Sequence, residues 1–218
     1  MNNKMKIAVM AGTPVDTQMG ADCLLKKGFD NLLYLPVSNN PQEQTEFQIS
    51  SEDNKKNKML ELLNKAKENG YDRLFVYCNS LSASVDFDEL ASETGLRIVT
   101  PLHVYKDLAL KYKKLGVIAA NAQGLSGIEK VLVNTNRELE FLGTGLLPLV
   151  KSIESGEEPD KLVEKHNLAD LADWFDKSDM EAVLLGCTHF PYVKEALAKR
   201  ISIPLIDPAD EMIKKITE

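Results

Sequence analysis

Two short segments of this chain share one pattern, and each leads to a cysteine. Residues 73–80 read Arg-Leu-Phe-Val-Tyr-Cys-Asn-Ser, and residues 182–189 read Ala-Val-Leu-Leu-Gly-Cys-Thr-His. In both, an apolar run of β type stops at a cysteine, and a small polar residue follows within two positions. A residue at the carboxyl end of a parallel strand points into the crevice where α/β proteins bind ligands. Two such thiols, Cys78 and Cys187, could take a proton from one face of a carbon atom and return one to the other face.

The residues after each cysteine are short hydrogen-bonding groups. Asn79, Ser80 and Thr188 could hold the carboxylate and ammonium groups of a small amino acid, although the same residue types commonly cap helices. His189 could share a proton with Cys187 or hold it as a thiolate, or it could have a structural role. A helix that begins after each strand would favour an anion there, and we expect it to lower the pKa of the thiol.

The bulk composition excludes several classes of protein. The formal net charge of −7 argues against a general nucleic-acid binder, and the apolar fraction of 44% is enough for a packed core. Residues 1–6 have no apolar leader and no run is long enough to span a bilayer, so we expect a cytoplasmic protein that does not bind membranes. In that compartment the cysteines are expected to be reduced thiols, with Cys23 in a packing role.

Motifs for bound metals or cofactors are absent from the sequence. No Cys-x-x-Cys or His-rich spacing suggests a metal site, and there is neither a Walker loop nor a dinucleotide fingerprint. We therefore expect no metal and no cofactor, and a small molecule as the binding partner.

Apolar β-type runs alternate with amphipathic helical patterns, which predicts an α/β fold with mostly parallel sheets flanked by helices. We expect two pseudo-symmetric domains, residues 1–97 with 208–218 and residues 98–207, carrying Cys78 and Cys187 respectively. The polar stretch Ser38–Lys58 is predicted to be a mobile loop. The predicted strands are Lys6–Gly12, Asn31–Val37, Arg73–Cys78, Arg97–Pro101, Lys114–Ala120, Glu138–Gly145, Glu181–Gly186 and Ile203–Pro208.

Several motifs resemble the cofactor-independent amino-acid racemases of the aspartate/glutamate racemase superfamily. Residues 186–191, Gly-Cys-Thr-His-Phe-Pro, match the glutamate racemase signature around the second catalytic cysteine, and residues 78–80 resemble the first cysteine motif. Residues 147–150, Leu-Pro-Leu-Val, followed by residues 154–156, Glu-Ser-Gly, resemble another region of that family. The resemblance covers nearly the whole chain.

The chain departs from the family pattern at several pocket positions. The usual first-strand Asp-Ser-Gly is Ala-Gly-Thr at residues 11–13, with Asp16 three residues later, and the usual Pro-Tyr-Gly is Pro-Val-Ser at residues 36–38. Gln123 replaces a substrate-contacting Thr. The Glu that supports the second cysteine's His aligns with Lys151, or with Glu154 if there is an insertion.

The resemblance implies an active site in an interdomain cleft and a reaction without pyridoxal phosphate. One cysteine, as a thiolate, would remove the α-proton of an amino acid, and the opposite cysteine would protonate the other face. His189 would assist Cys187, and Asp16 would stand in for the missing Asp beside Cys78. The residues 38–58 would close over the ligand. The implied catalytic residues are Cys78, Cys187, His189 and Asp16, and the implied substrate-binding residues are Gly12, Thr13, Pro36, Val37, Ser38, Asn79, Ser80, Gln123 and Thr188.

The resemblance leaves the substrate open. Glutamate is favoured, with aspartate or another amino acid as alternatives, and superfamily relatives include hydantoin racemases, maleate isomerases and arylmalonate decarboxylases. Two other hypotheses are a ligand-binding paralogue with weak turnover and a thiol redox protein whose cysteines form a disulfide. A homodimer is an open alternative for the assembly state.

Overall fold

A computed structural model describes residues 5–218, except for the side chains of Pro41 and Gln123. The chain folds into two compact units. The first comprises the residues up to His103 together with Ala209–Glu218, and the second comprises Val104–Pro208. The domain limits drawn from the sequence, 97/98 and 207/208, stay a prediction.

The first unit is built around a sheet of four parallel strands in the order β2-β1-β3-β4. The central strand β1 is buried along its whole length because helices cover both faces of the sheet. Its elements are β1 (Ile7–Ala11), α1 (Pro14–Lys26), β2 (Leu32–Pro36), α2 (Pro41–Ile49), α3 (Glu52–Glu68), β3 (Arg73–Val76), α4 (Asn79–Ser84), α5 (Phe87–Thr94) and β4 (Arg97–Val99), and α6 (Pro101–Lys111) crosses into the second unit.

The second unit contains another sheet of four parallel strands, in the order β6-β5-β7-β8. Strand β7 is buried at all five positions. The elements are β5 (Lys114–Ala119), α7 (Ala122–Thr135), β6 (Glu140–Gly145), α8 (Leu147–Glu154), α9 (Pro159–Lys165), α10 (Leu168–Lys177), β7 (Ala182–Gly186), α11 (Pro191–Ala198) and β8 (Leu205–Ile206), and α12 (Pro208–Thr217) continues into the first unit.

The two sheets have the same order and the same strand directions, which confirms the predicted α/β fold of two similar halves. All eight predicted strands are present, each shorter than predicted. Apolar runs identified most of them, because strands that are covered on both faces of a sheet must be apolar on both faces. Strands β3 and β7 hold the same place in their respective sheets, and each leads to one of the two cysteines.

The strand registers bring the loops of each unit to one edge of its sheet. In the first unit Met10 pairs with Val76 and Ala11 pairs with Pro36. In the second unit Ala119 pairs with both Gly145 and Gly186. Because parallel strands end at the same edge, the segments that follow them are neighbours in each unit.

The expectation of a mobile loop at Ser38–Lys58 is wrong. Helix α2 occupies residues 41–49, and α3 begins at Glu52. Asn40 caps α2 by accepting the Glu43 N–H through its side chain, and the Glu43 carboxylate in turn accepts the backbone N–H of Asn39 at 2.9 Å. This reciprocal cap, with Pro41 at the first turn, is a helix-start signal that outweighs the polar composition.

Helix α12 packs on the first unit. Arg73 donates to the carbonyl of Ile216, and Arg97 Nε donates to the carbonyl of Lys215 at 2.9 Å. These bonds use carbonyl groups at the end of the helix, which lack partners within it. Across residues 5–218, no helix has the length and apolar character needed to cross a bilayer.

We predict that Asn40→Ala lowers the free energy of unfolding by about 1 kcal/mol, the usual cost of losing an N-cap side chain. Urea denaturation followed by circular dichroism would measure it. Gln42→Ala, at an exposed position of the same helix, is the control and should have little effect. Equal losses from both substitutions would show that the cap does not stabilise α2.

Candidate active site

Cys78 lies two residues beyond β3 and directly before α4, and 5% of its surface is exposed. Its carbonyl accepts the backbone N–H of Ser82 at 3.1 Å and the Ser82 hydroxyl at 2.6 Å. These bonds fix the turn that carries the thiol. The Cys78 Sγ lies 3.5 Å from the Ser80 hydroxyl.

The pKa of Cys78 is raised above its ordinary value, so the expected lowering is wrong at this position. Burial is the largest cause because it disfavours the charged thiolate, and the negative charge of Asp16 adds to it. Hydrogen bonds from the Ser80 hydroxyl and from the backbone at Leu81 and Gly12 favour the thiolate but do not outweigh burial. Helix α4, which begins directly after Cys78, has only six residues.

Two glutamines of α2 also reach this site, and the sequence pattern did not indicate them. Gln44 Nε2 lies 3.7 Å from Cys78 Sγ and 3.5 Å from the Ser80 hydroxyl, and Gln48 Nε2 donates to the same hydroxyl at 3.0 Å. Their spacing of four residues puts both amides on one face of the helix. The Asn40 cap signal would have revealed the helix, and with it this face.

Asp16 and Thr13 lie at the start of α1. The Thr13 side chain caps the helix by accepting the Asp16 N–H at 3.3 Å, and its carbonyl accepts the Thr17 hydroxyl at 2.7 Å. Thr13 therefore has a capping role, and its assignment to substrate binding stays a prediction. The half-buried Asp16 acts on Cys78 through its charge.

The segment after β2 lies against the segment after β1. The Gly12 carbonyl accepts the Ser38 N–H at 3.0 Å, and Val37 packs in the apolar core that also contains Cys78. The Ser38 hydroxyl is buried and has no hydrogen-bond partner among the described residues. The structure thus gives Val37 a packing role, and the binding roles predicted for it, Pro36 and Ser38 stay predictions.

Cys187 follows β7 directly, and 6% of its surface is exposed. Its carbonyl accepts the Phe190 N–H at 3.1 Å in a tight turn, which places His189 beside the thiol. The Nδ1 atom of His189 lies 3.7 Å from Cys187 Sγ. Thr188 is half-buried at the same turn.

Glu154, at the end of α8, completes this group. Its Oε1 atom lies 3.3 Å from His189 Nε2, so the imidazole has a sulfur beside one nitrogen and a carboxylate beside the other. Of the two residues that the sequence left open for this position, the contact favours Glu154 over Lys151. A carboxylate here can orient the ring.

The remaining predicted residues have less detail. The backbone of Gln123 lies in α7, but its side chain is outside the described part of the structure. Asn79 is half-buried in the first turn of α4. None of the three cysteines, including Cys23 in α1, is in a disulfide. Within residues 5–218 no three His, Cys, Asp or Glu side chains are grouped to hold a metal ion, and the expectation of a reaction without cofactor stays a prediction.

Comparisons of sequence and of structure relate this chain to racemases. The family model for Asp/Glu/Hydantoin racemase matches residues 33–216. A glutamate racemase of Limosilactobacillus reuteri is 34% identical over 110 residues, covering 49% of this chain and 41% of the relative, so the match spans less than half of that relative's length. A glutamate racemase of Clostridium acetobutylicum is 24% identical over 212 residues, covering 93% of this chain and 80% of the relative. The crystal structure of glutamate racemase from Francisella tularensis in complex with D-glutamate has the same fold, with a TM-score of 0.70 at 19% identity, covering 100% of this chain and 81% of that chain.

We predict that Asp16→Asn lowers the pKa of Cys78, because the removed charge disfavours the thiolate. The measurement uses a protein in which Cys23 and Cys187 are Ser, so that iodoacetamide reports on Cys78 alone. Below the pH midpoint the alkylation rate should rise about threefold to tenfold, which corresponds to half to one pKa unit. Asp22→Asn, the same charge change further along α1, is the control. An unchanged midpoint would show that Asp16 has no electrostatic effect on the thiol.

Proposed function

The chain belongs to the Asp/Glu/hydantoin racemase family, and from this premise we propose that it racemises an amino acid, with glutamate favoured, by proton transfer between the α-carbon and two cysteine thiols. The observation that carries the proposal is the placement of Cys78 and Cys187 after β3 and β7, which hold the same position in two sheets of the same order. The relatives named as glutamate racemases support glutamate as the substrate.

The proposed reaction exchanges one proton for another. The thiolate of one cysteine takes the α-proton, and the electron pair of the broken C–H bond stays on the α-carbon. The thiol of the other cysteine then gives its proton to the opposite face, which inverts the configuration. The first cysteine ends as a thiol and the second as a thiolate, so the reverse reaction uses them in exchanged roles.

The raised pKa of Cys78 fits a role as a base. A thiolate whose conjugate thiol has a high pKa is a strong base, so it can remove a proton from a weakly acidic carbon. The same high pKa means that less of the thiolate is present at neutral pH. The carbanion needs fixed hydrogen-bond donors and exclusion of water. Asn79 and Thr188, which follow the two thiols, are the proposed donors.

His189 and Glu154 support the proposed proton transfer at Cys187. The imidazole beside the sulfur can accept the thiol proton and return it, and the carboxylate beside its other nitrogen stabilises the charged ring in between.

We predict that the purified protein interconverts D- and L-glutamate without added pyridoxal phosphate. In deuterated water the inverted product should acquire deuterium at the α-carbon, because each thiol exchanges with solvent before binding. The remaining substrate should acquire far less at early times. Chiral chromatography with mass spectrometry, applied to a panel of single-enantiomer amino acids, would measure both quantities and identify the preferred substrate.

Cysteine variants test the two-thiol mechanism. Cys78→Ala and Cys187→Ala should each lower racemisation by at least about a hundredfold, the usual contribution of a positioned acid or base. Cys23→Ala removes a thiol that lies within α1 and is the control. Near-normal racemisation by either single variant, or equal early label in both enantiomers, would overturn the mechanism. Inactivity toward every amino acid would favour a binding paralogue, and a disulfide between the two thiols after mild oxidation would favour a redox protein.

We predict that His189→Ala lowers kcat by about a hundredfold and changes KM little, because its ring acts on a proton in transit. Glu154→Gln should have a smaller effect in the same direction, since it acts through the ring. His166→Ala is the control, because His166 Nε2 contacts Ser152 at 3.0 Å and not a cysteine. Steady-state kinetics in both directions would measure these values, and an unchanged kcat would assign His189 to structure.

A further inference from the structure

Three side chains of the first unit contact the Ser80 hydroxyl. Gln48 Nε2 donates to it at 3.0 Å, Gln44 Nε2 lies 3.5 Å away, and Cys78 Sγ lies 3.5 Å away. A serine hydroxyl has one hydrogen to donate and two lone pairs that accept. The two amides use the accepting capacity of the oxygen, so its hydrogen is left for the sulfur.

This arrangement assigns the direction of the bond between Ser80 and Cys78. The hydroxyl donates and the sulfur accepts. Gln44 Nε2 also lies 3.7 Å from the same sulfur, as a second donor. Donors that point at a sulfur favour its thiolate form, because hydrogen bonding to the charged form of an acid stabilises that form.

The position of Gln44 is fixed by its surroundings. A Cβ atom on Gly12 would overlap the Gln44 carboxamide, so this amide packs directly on the backbone of β1's loop. The reciprocal cap of Asn40 and Glu43 anchors the helix that carries it. The Gln44 carboxamide therefore occupies the space that a side chain at residue 12 would need.

We propose that Gln44 and Gln48 are positioning residues which, directly and through Ser80, hold the Cys78 sulfur as a hydrogen-bond acceptor and so favour its thiolate. The inference rests on the proposed function, in which that thiolate is a base, and adds to it the residues of α2. The charged group acting on the sulfur is Asp16 of α1, which opposes the thiolate, and α4 has no charged residue. Of the carboxylates of α2, Glu43 is bonded to Asn39 and Asn40, and Glu46 is exposed.

The test measures the pH midpoint of Cys78 alkylation in the full chain with Cys78 as its single cysteine. Gln44→Met keeps the length of the side chain and removes the donors. It should raise the midpoint, so that the alkylation rate below the midpoint falls about threefold or more, equivalent to half a pKa unit. Gln44→Glu should lower that rate further, because a second carboxylate would join Asp16 near the sulfur. Gln42→Met, on an exposed position of α2, is the control.

Gly12→Ala gives an independent test that leaves both glutamines in the sequence. Its methyl group would displace the Gln44 carboxamide while keeping the backbone N–H of residue 12. It should raise the midpoint as Gln44→Met does, and the double variant should show little further change, because both substitutions remove the same contact.

The outcomes separate this inference from the proposed function, because alkylation requires no turnover. Unchanged midpoints in Gln44→Met and Gly12→Ala would overturn the inference even if the protein racemises glutamate. Shifted midpoints would support it even if no racemisation is found. A lower maximal rate without a shifted midpoint would mean that Gln44 controls access to the thiol, and that result would also overturn the inference.

Discussion

Each candidate thiol follows the end of a strand that is buried within a parallel sheet. Parallel strands need cover on both faces, so β3 and β7 run through the apolar interior, and the residues that follow them begin at the edge of that interior. Cys78 and Cys187 consequently keep apolar surroundings on one side and polar turn residues on the other. This position restricts the motion of the thiol and keeps water away from it, but it also disfavours the thiolate that proton abstraction requires.

The groups that surround the buried thiol differ between the two units. Around Cys78 the support comes from neutral donors, the Ser80 hydroxyl and the amides of α2, with Asp16 acting against the thiolate. Around Cys187 it comes from an imidazole whose far nitrogen lies beside the Glu154 carboxylate. The same sheet topology thus carries two chemically different surroundings, because the topology fixes where the thiols lie and the following turn fixes what they contact.

The sequence predicted the central strands well because a buried parallel strand leaves a strong signal: β1 and β7 are short apolar runs that are buried at every position. It predicted the thiols for the same reason, since each terminates such a run. It failed at α2, where polar residues were interpreted as a loop although Asn40 and Glu43 carry a reciprocal cap. It also failed on the pKa of Cys78, because the extent of burial depends on distant residues that pack over the thiol and that local spacing does not reveal.

The failure at α2 and the failure on the Cys78 pKa both concern residues that reach the thiol from distant parts of the sequence, although burial raises its pKa and the donors of α2 oppose that change. The helix carries Gln44 and Gln48 to the Ser80 hydroxyl, and without the helix these residues have no fixed relation to the thiol. The pKa of a buried thiol depends on the balance between desolvation and donors that reach it across the fold. At Cys187 the dominant partner lies two residues away in sequence and was found. At Cys78 the partners on α2 lie thirty or more residues away. The cap, the helix face and the packing on Gly12 together identify them as partners.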